Sequence, residues 1–139
     1  MNEPIIETIE DNEFVLVTYD KLLRIVAIIW RGAVTSEQYR KSYITGLDFA
    51  KRNQVDGFLS DISKQQLLEP TDRNWFETDI LPYAVELGIK RGCVVYDGNI
   101  FKEYYLTRIL NKIKTYSIPF RFFKSRKSAY DWLLSAEIM

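Results

Sequence analysis

Side chains that could do chemistry concentrate in the stretch FLSDISKQQLLEPTDRNWF, from Phe58 to Phe76. This stretch is predicted to contain the end of a buried strand, a polar loop and the start of a helix. In open α/β folds, ligands usually bind at such positions. The residues that we select as a candidate switch or docking loop are Asp61, Ser63, Thr71, Asp72 and Trp75.

Carboxylates are the remaining candidates for catalysis. Two acids can support glycosidase-type or metal-assisted hydrolysis. The candidates are Asp61, Glu69, Asp72, Glu77, Asp79 and Asp97. Their spacing does not favour catalysis over solvation and helix capping. We therefore assign no catalytic residue and expect a protein that is not an enzyme.

Other catalytic classes are excluded by residue types that are missing. The sequence contains no histidine and a single cysteine, Cys93, so it cannot form a Ser–His–Asp or Cys–His triad or a cysteine-based metal cage. It contains no GxGxxG or GxxxxGK[ST] pattern, and no EF-hand pattern of acids. We predict no cofactor and no metal, and interpret Cys93, in the apolar run RGCVVYD, as a small core residue.

Composition predicts one globular domain over residues 1–139. The chain is 47% hydrophobic and 27% charged, which is typical of a folded domain. Its formal net charge is zero, which does not favour binding to nucleic acid. The beginning, MNEPIIETIED, is acidic, and the longest apolar run, IVAIIW, is too short to span a bilayer. We therefore expect a cytoplasmic protein without a membrane span.

Strand-like and helix-like segments alternate along the chain. FVLVTYD and KLLRIVAIIW are rich in β-branched residues and predict an antiparallel hairpin. The continuous apolar run Ile25–Trp30 indicates a central strand covered on both faces. Further strands are predicted at GFLSDI, GCVVYD and PFRFF. The order β-β-α-β-α-β-α-β-α predicts an α/β fold with a five-stranded, mostly parallel mixed sheet, an N-terminal β-hairpin and about four helices.

Capping residues predict where the helices begin. Thr35 and Gln38, in TSEQ, form a capping-box pattern. Thr71 and Ser125 are predicted to cap the second and the last helix. Pro82 lies inside the second helical pattern and is predicted to kink or split that helix near Leu81.

The whole pattern resembles the STAS domain, named for sulfate transporters and anti-sigma factor antagonists and also called the SpoIIAA-like fold. The segments that carry the resemblance are IIWRGAVTSEQYR, GFLSDIS, WFETDILPYAVELGIKRGCVVYD and FRFFKSRKSAYDWL. The chain is most similar to a stand-alone bacterial branch of STAS-like proteins whose function is poorly defined. The resemblance extends over nearly the whole chain.

The resemblance implies a regulatory domain that interacts with other proteins, of the kind that acts in anti-sigma-factor-antagonist signalling. In such antagonists, a partner kinase phosphorylates a serine in the loop after the strand. Here SDIS matches the strand end through Asp61 and Ser63, and Thr71 lies nearest to the phosphorylated position. The chain departs from the family pattern because Pro70 and Asp72 replace small residues and no glycine follows.

A second hypothesis is that the protein binds a small molecule or a lipid. It rests on the aromatic content of 14% and on a resemblance to lipid-binding relatives of similar architecture. This hypothesis requires an apolar cavity, whereas docking of an unidentified protein partner does not. Homodimerisation through an edge strand or an aromatic helix face is left open.

Overall fold

The computed structural model describes residues 5–138, with side chains described as far as Ser135. The strands are β1 (Ile6–Asp11), β2 (Val15–Asp20), β3 (Ile25–Trp30), β4 (Gly57–Asp61), β5 (Arg91–Val95) and β6 (Phe120–Phe123). They form one six-stranded sheet in chain order. β2 is antiparallel to β1 and to β3, and the pairs from β3 to β6 are parallel. The predicted hairpin and mixed sheet are confirmed.

The number of strands differs from the prediction by one, because β1 was not expected. Its sequence, IETIED, is largely polar, and most of its residues are exposed. β1 lies at the sheet edge and pairs with β2 through backbone hydrogen bonds, with an irregularity between Thr8 and Glu10. Edge pairing does not need a buried apolar face, so hydrophobic alternation gives little signal for such a strand.

The helices lie on both sides of the sheet. They are α1 (Ser36–Arg52), α2 (Pro70–Trp75), a π-helical turn (Phe76–Ile80), α3 (Leu81–Glu86), α4 (Ile100–Lys114) and α5 (Arg126–Ile138). α2, the π turn and α3 follow one another directly, so the described residues form about four helical units, as predicted. Right-handed crossovers place α1, α2–α3 and α4 on one face. α5 packs on the other face.

Alternate residues of β3 enter two different hydrophobic cores. Val26, Ile28 and Trp30 pack with residues of α1, whereas Ile25 and Ala27 pack with residues of α5. The prediction of a central strand covered on both faces is therefore confirmed. Cys93 belongs to the core beneath α5 and is buried, as its apolar surroundings predicted.

Two of the three predicted caps are present. The Thr35 side chain accepts a hydrogen bond from the backbone N–H of Gln38, whose side chain completes the capping box. Ser125 Oγ accepts from the backbone N–H of Ser128 at 3.2 Å. The prediction for Thr71 was wrong, because the N-cap of α2 is Glu69 and Pro70 occupies the first turn. A proline at this position loses no helical hydrogen bond, and it was the better signal for the helix start.

The predicted break near Leu81 is confirmed. The chain forms a π turn over Phe76–Ile80, in which the backbone N–H of Leu81 donates to the carbonyl of Phe76. α3 then begins at Leu81, with Pro82 in its first turn. The wider turn agrees with the steric effect of proline, whose ring would clash with the carbonyl four residues earlier. The break leaves Phe76 and Ile80 directed towards the sheet core.

Candidate functional site

Asp61 lies at the carboxyl end of β4 and connects this strand to α5. Its Oδ1 accepts hydrogen bonds from the Ser63 backbone N–H at 3.0 Å and from Ser63 Oγ at 2.5 Å. Its Oδ2 accepts from Arg126 Nε at 2.7 Å, and only 4% of the Asp61 side chain is exposed. The arrangement fixes the turn after β4 and anchors the first turn of α5.

Asp72 and Trp75 lie on the opposite face of the sheet, where they contact α1. Asp72 is buried and accepts hydrogen bonds from Ser36 Oγ at 2.6 Å and Arg40 Nε at 3.0 Å. The Arg40 guanidinium lies 5.1 Å from the centroid of the Trp75 ring. The same ring packs edge-on against Tyr39, with centroids 6.0 Å apart. Trp75 is therefore held in place by packing and a cation–π contact.

Four of the five candidate residues thus form two groups and not a single site, and the fifth, Thr71, belongs to neither group. Asp61 and Ser63 bond to each other and face α5, whereas Asp72 and Trp75 bond to or pack on α1. Thr71 is exposed on α2, where its hydroxyl is accessible. Sequence proximity had suggested that these side chains act together, but the sheet lies between the two groups.

An exposed apolar patch lies beside the same loop. Its members are Leu67, Ile100, Phe101 and Tyr104, which are between 56% and 78% exposed. Leu67 and Phe101 line one shallow depression, and Ile100 and Tyr104 line the next one along α4. We call these four residues the loop–helix patch. Large exposed apolar side chains in a group are typical of interaction surfaces.

A cavity of about 90 Å³ lies between the sheet and the helices of the α1 face. Its aliphatic and aromatic lining includes Leu47, Phe58, Ile80, Ala84, Ile113 and Phe120. Arg91 also contributes to the lining, and its Nη2 donates to the Leu23 carbonyl at 3.4 Å. No sequence pattern predicts a site at these lining residues. The high aromatic content was the only signal, and it does not locate a cavity.

Four hydroxyl-bearing residues are among those that line a smaller neighbouring cavity of about 40 Å³. Tyr43 Oη and Ser60 Oγ lie 3.1 Å apart, in hydrogen-bond contact, and both residues line this cavity and the larger one. Tyr39 and Tyr105 complete its hydroxyl-bearing lining. Burial raises the pKa of Tyr39, Tyr43 and Tyr105 above the ordinary tyrosine value, so these phenols remain protonated and can donate hydrogen bonds.

Two further observations concern chemistry and membranes. Among residues 5–138, no three or more cysteine or acidic side chains come together as a group that could hold a metal ion. The buried carboxylates of Asp61, Asp72 and Glu77 instead form ion pairs with arginines from distant segments.

No helix in the described part of the chain combines the length and apolar character needed to cross a membrane.

Comparison with known structures identifies the fold. The chain is similar to the crystal structure of an uncharacterized protein from the DUF3478 family, with a SpoIIAA-like fold, from Shewanella loihica PV-4. The TM-score is 0.53 at 24% sequence identity, and the match covers 96% of this chain and 98% of that chain. No protein-family model and no curated protein matches the sequence. The protein therefore has a SpoIIAA-like fold, as its sequence pattern predicted, and the likeness extends to the fold alone.

Proposed function

We propose that this SpoIIAA-like protein binds a small, largely apolar molecule and does not catalyse a reaction on it. The observation that supports this proposal is the cavity of about 90 Å³, which is lined mainly by aliphatic and aromatic side chains. Ligand sites are usually concave and apolar, with a few polar groups that fix orientation. Here Tyr43 and Ser60 supply such groups.

The size of the cavity argues that it is more than imperfect packing. An apolar space of about 90 Å³ is several times what one water molecule needs, whereas protein interiors contain few voids larger than a water molecule. A space of this size in a small domain calls for an explanation, and ligand binding provides one.

Toluene is a suitable probe because apolar cavities in proteins bind simple aromatic hydrocarbons. Toluene in excess over its dissociation constant should raise the melting temperature of the wild-type protein, since a ligand that binds only the folded state stabilises it. The effect should disappear in Ala84→Leu, whose larger side chain fills the cavity. Without toluene, this variant should be at least as stable as the wild type.

Glu86→Leu is the matched control. It adds the same side chain to the same helix, α3, at an exposed position that does not line the cavity. This control should keep the full response to toluene. A wild-type protein whose melting temperature does not change with toluene, and whose methyl resonances do not shift, would contradict the proposal.

A second candidate function is regulatory docking of a protein partner, and the loop–helix patch favours it. The patch adjoins the loop between β4 and α2, which is where the STAS resemblance implies a switch. Thr71 is exposed nearby, so a kinase could reach its hydroxyl. A phosphate on Thr71 would add negative charge to a docking surface.

Site-specific photo-crosslinking in the native host tests this candidate. A photoreactive phenylalanine analogue in place of Tyr104 should crosslink to one discrete protein. The same analogue in place of Leu22, which is exposed in the turn between β2 and β3, should not. Identical crosslinks from both positions would count against a specific docking surface. Intact-mass analysis of the same material would detect a phosphoryl group on Thr71 or Ser63.

A further inference from the structure

The side-chain amide of Gln65 is a buried hydrogen-bond donor without a partner. Gln65 is only 6% exposed, and its Nε2 makes no hydrogen bond to any described residue. The residue is among those that line the cavity of about 40 Å³, and it also lines two depressions beside that cavity, one next to Leu67 and Phe101 and one next to Thr35 and Asp72. A buried donor without an acceptor destabilises a fold, so such groups in native proteins call for an explanation.

The backbone holds Gln65 firmly in this position. The Gln65 N–H donates to the Ile62 carbonyl at 3.0 Å, which closes a tight turn. The same carbonyl accepts a hydrogen bond from the buried Lys102 Nζ at 2.8 Å. The Ile62 N–H in turn donates to the Val95 carbonyl at 2.8 Å. The backbone of Gln65 is therefore held beside the cavity by a turn that is attached both to α4 and to the end of β5.

The two cavities adjoin each other and differ in chemistry. Five residues line both of them: Tyr43, Ser60, Phe76, Val94 and Phe120. The larger cavity is mainly aliphatic and aromatic, and the smaller one adds the Gln65 amide and the hydroxyls of Tyr39 and Tyr105. No charged side chain of the described residues lines the smaller cavity. A ligand that extends across both would have an apolar body and a neutral polar end.

We propose that Gln65 Nε2 donates a hydrogen bond to the oxygen of a bound ligand, an uncharged apolar molecule that ends in a hydroxyl or carbonyl group. This inference rests on the proposed function and specifies the class of ligand for the same site. An ionised end group is disfavoured, because the smaller cavity provides no opposite charge to offset its desolvation. A purely apolar end group would leave the Gln65 amide unpartnered.

Phenol and toluene form a matched pair of probes, because they have the same shape and only phenol carries an oxygen. We would titrate each probe into the wild type, Gln65→Leu and Gln66→Leu by protein-observed NMR. The affinity of Gln65→Leu for phenol should fall about 3- to 10-fold, as expected for one lost hydrogen bond. Its affinity for toluene should stay within about twofold of the wild type. Gln66 is exposed, so Gln66→Leu should bind both probes like the wild type.

The outcomes separate this inference from the proposed function. If toluene binds and phenol affinity is the same in Gln65→Leu as in the wild type, the role of Gln65 is overturned and the apolar site stands. If neither probe binds the wild type, both proposals are overturned. The free energy of unfolding of ligand-free Gln65→Leu provides a second readout, which should equal or exceed that of the wild type. A clear decrease would show that the amide has a partner within the fold and would overturn the inference.

Discussion

At the scale of single residues, buried carboxylates connect segments that are far apart in the chain. Asp61 joins β4 to α5 through Arg126, and Asp72 joins α2 to α1 through Arg40. In both pairs the carboxylate is almost fully buried while the arginine is partly exposed. Removal of one partner from such a pair is more costly than removal from a surface pair, because the buried group that remains has lost its partner. Three of the acids named as candidates for catalysis, Asp61, Asp72 and Glu77, therefore have arginine partners in the fold.

Asp61→Asn should lower the free energy of unfolding by about 2 kcal/mol, because it weakens a charge-assisted hydrogen bond to Arg126 and leaves a buried amide in its place. Urea denaturation measures this difference. Asp131→Asn is the control, since Asp131 and Lys127 form an exposed pair on α5. Asp131→Asn should lower the free energy of unfolding by less than about 0.5 kcal/mol. Equal losses in the two variants would show that the Asp61–Arg126 pair contributes no more than a surface pair.

At the scale of elements, the ends of the helices depend on a few local interactions. The capping box of α1 satisfies backbone N–H groups that would otherwise have no partner in the first turn. α1 also packs closely on the sheet, because a Cβ at Gly46 would lie 3.2 Å from the ring of Phe58. This contact explains a glycine inside a helix. α3 ends at Glu86, and Gly88, two residues later, has a φ of 86°, the left-handed conformation that glycine adopts readily just after a helix.

The two threonines that sequence analysis predicted as caps should respond differently to replacement by alanine. Thr35→Ala should lower the free energy of unfolding by about 1 kcal/mol, because it removes a side-chain acceptor for the Gln38 N–H. Thr71→Ala should change it by less than about 0.5 kcal/mol, because Thr71 is exposed and does not cap α2. Thermal or urea unfolding of the two variants checks this. A loss from Thr71→Ala as large as that from Thr35→Ala would contradict the observed N-cap at Glu69.

At the scale of the whole molecule, the side chains predict a characteristic dependence of stability on pH. The sequence has no histidine, so no side-chain type present titrates near neutrality at its ordinary pKa. Burial raises the pKa of the Cys93 thiol from 9.0 to about 12, and raises the pKa of Tyr39 and Tyr43 above 10.0. The folded state therefore retains protons that the unfolded state loses in alkali.

The free energy of unfolding should be nearly constant between about pH 6 and pH 8 and should fall above the ordinary thiol pKa of 9.0. The stabilising contribution of Cys93 is complete below pH 9.0 and is lost as the pH rises towards its folded pKa of about 12. The free energy of unfolding should fall less steeply with pH in Cys93→Ala, by up to about 1.4 kcal/mol per pH unit in this range. Urea titrations at several pH values measure the slope. An unchanged slope in Cys93→Ala would show that the thiol ionises equally well in the folded state.

The accuracy of the sequence predictions differs between features for physical reasons. Strands with an apolar face and helices with a capping box were predicted closely, because their signals lie within a few neighbouring residues. The edge strand β1 was missed because backbone pairing with β2 stabilises it without apolar alternation. α2 begins two residues before the start that a cap at Thr71 predicts, because Glu69 is the N-cap and Pro70 occupies the first turn.

The sequence by itself determined the alternation of strands and helices, the hairpin and the SpoIIAA-like fold, since hydrophobic periodicity and turn residues act locally. Only the tertiary structure decided which side chains meet. Asp61 and Arg126 are 65 positions apart, and Gln65 is presented to its cavity by a turn that Lys102 holds. A cavity is the space that several packed segments leave between them. Its position depends on the separation of those segments in three dimensions, and the order of residues along the chain does not specify that separation.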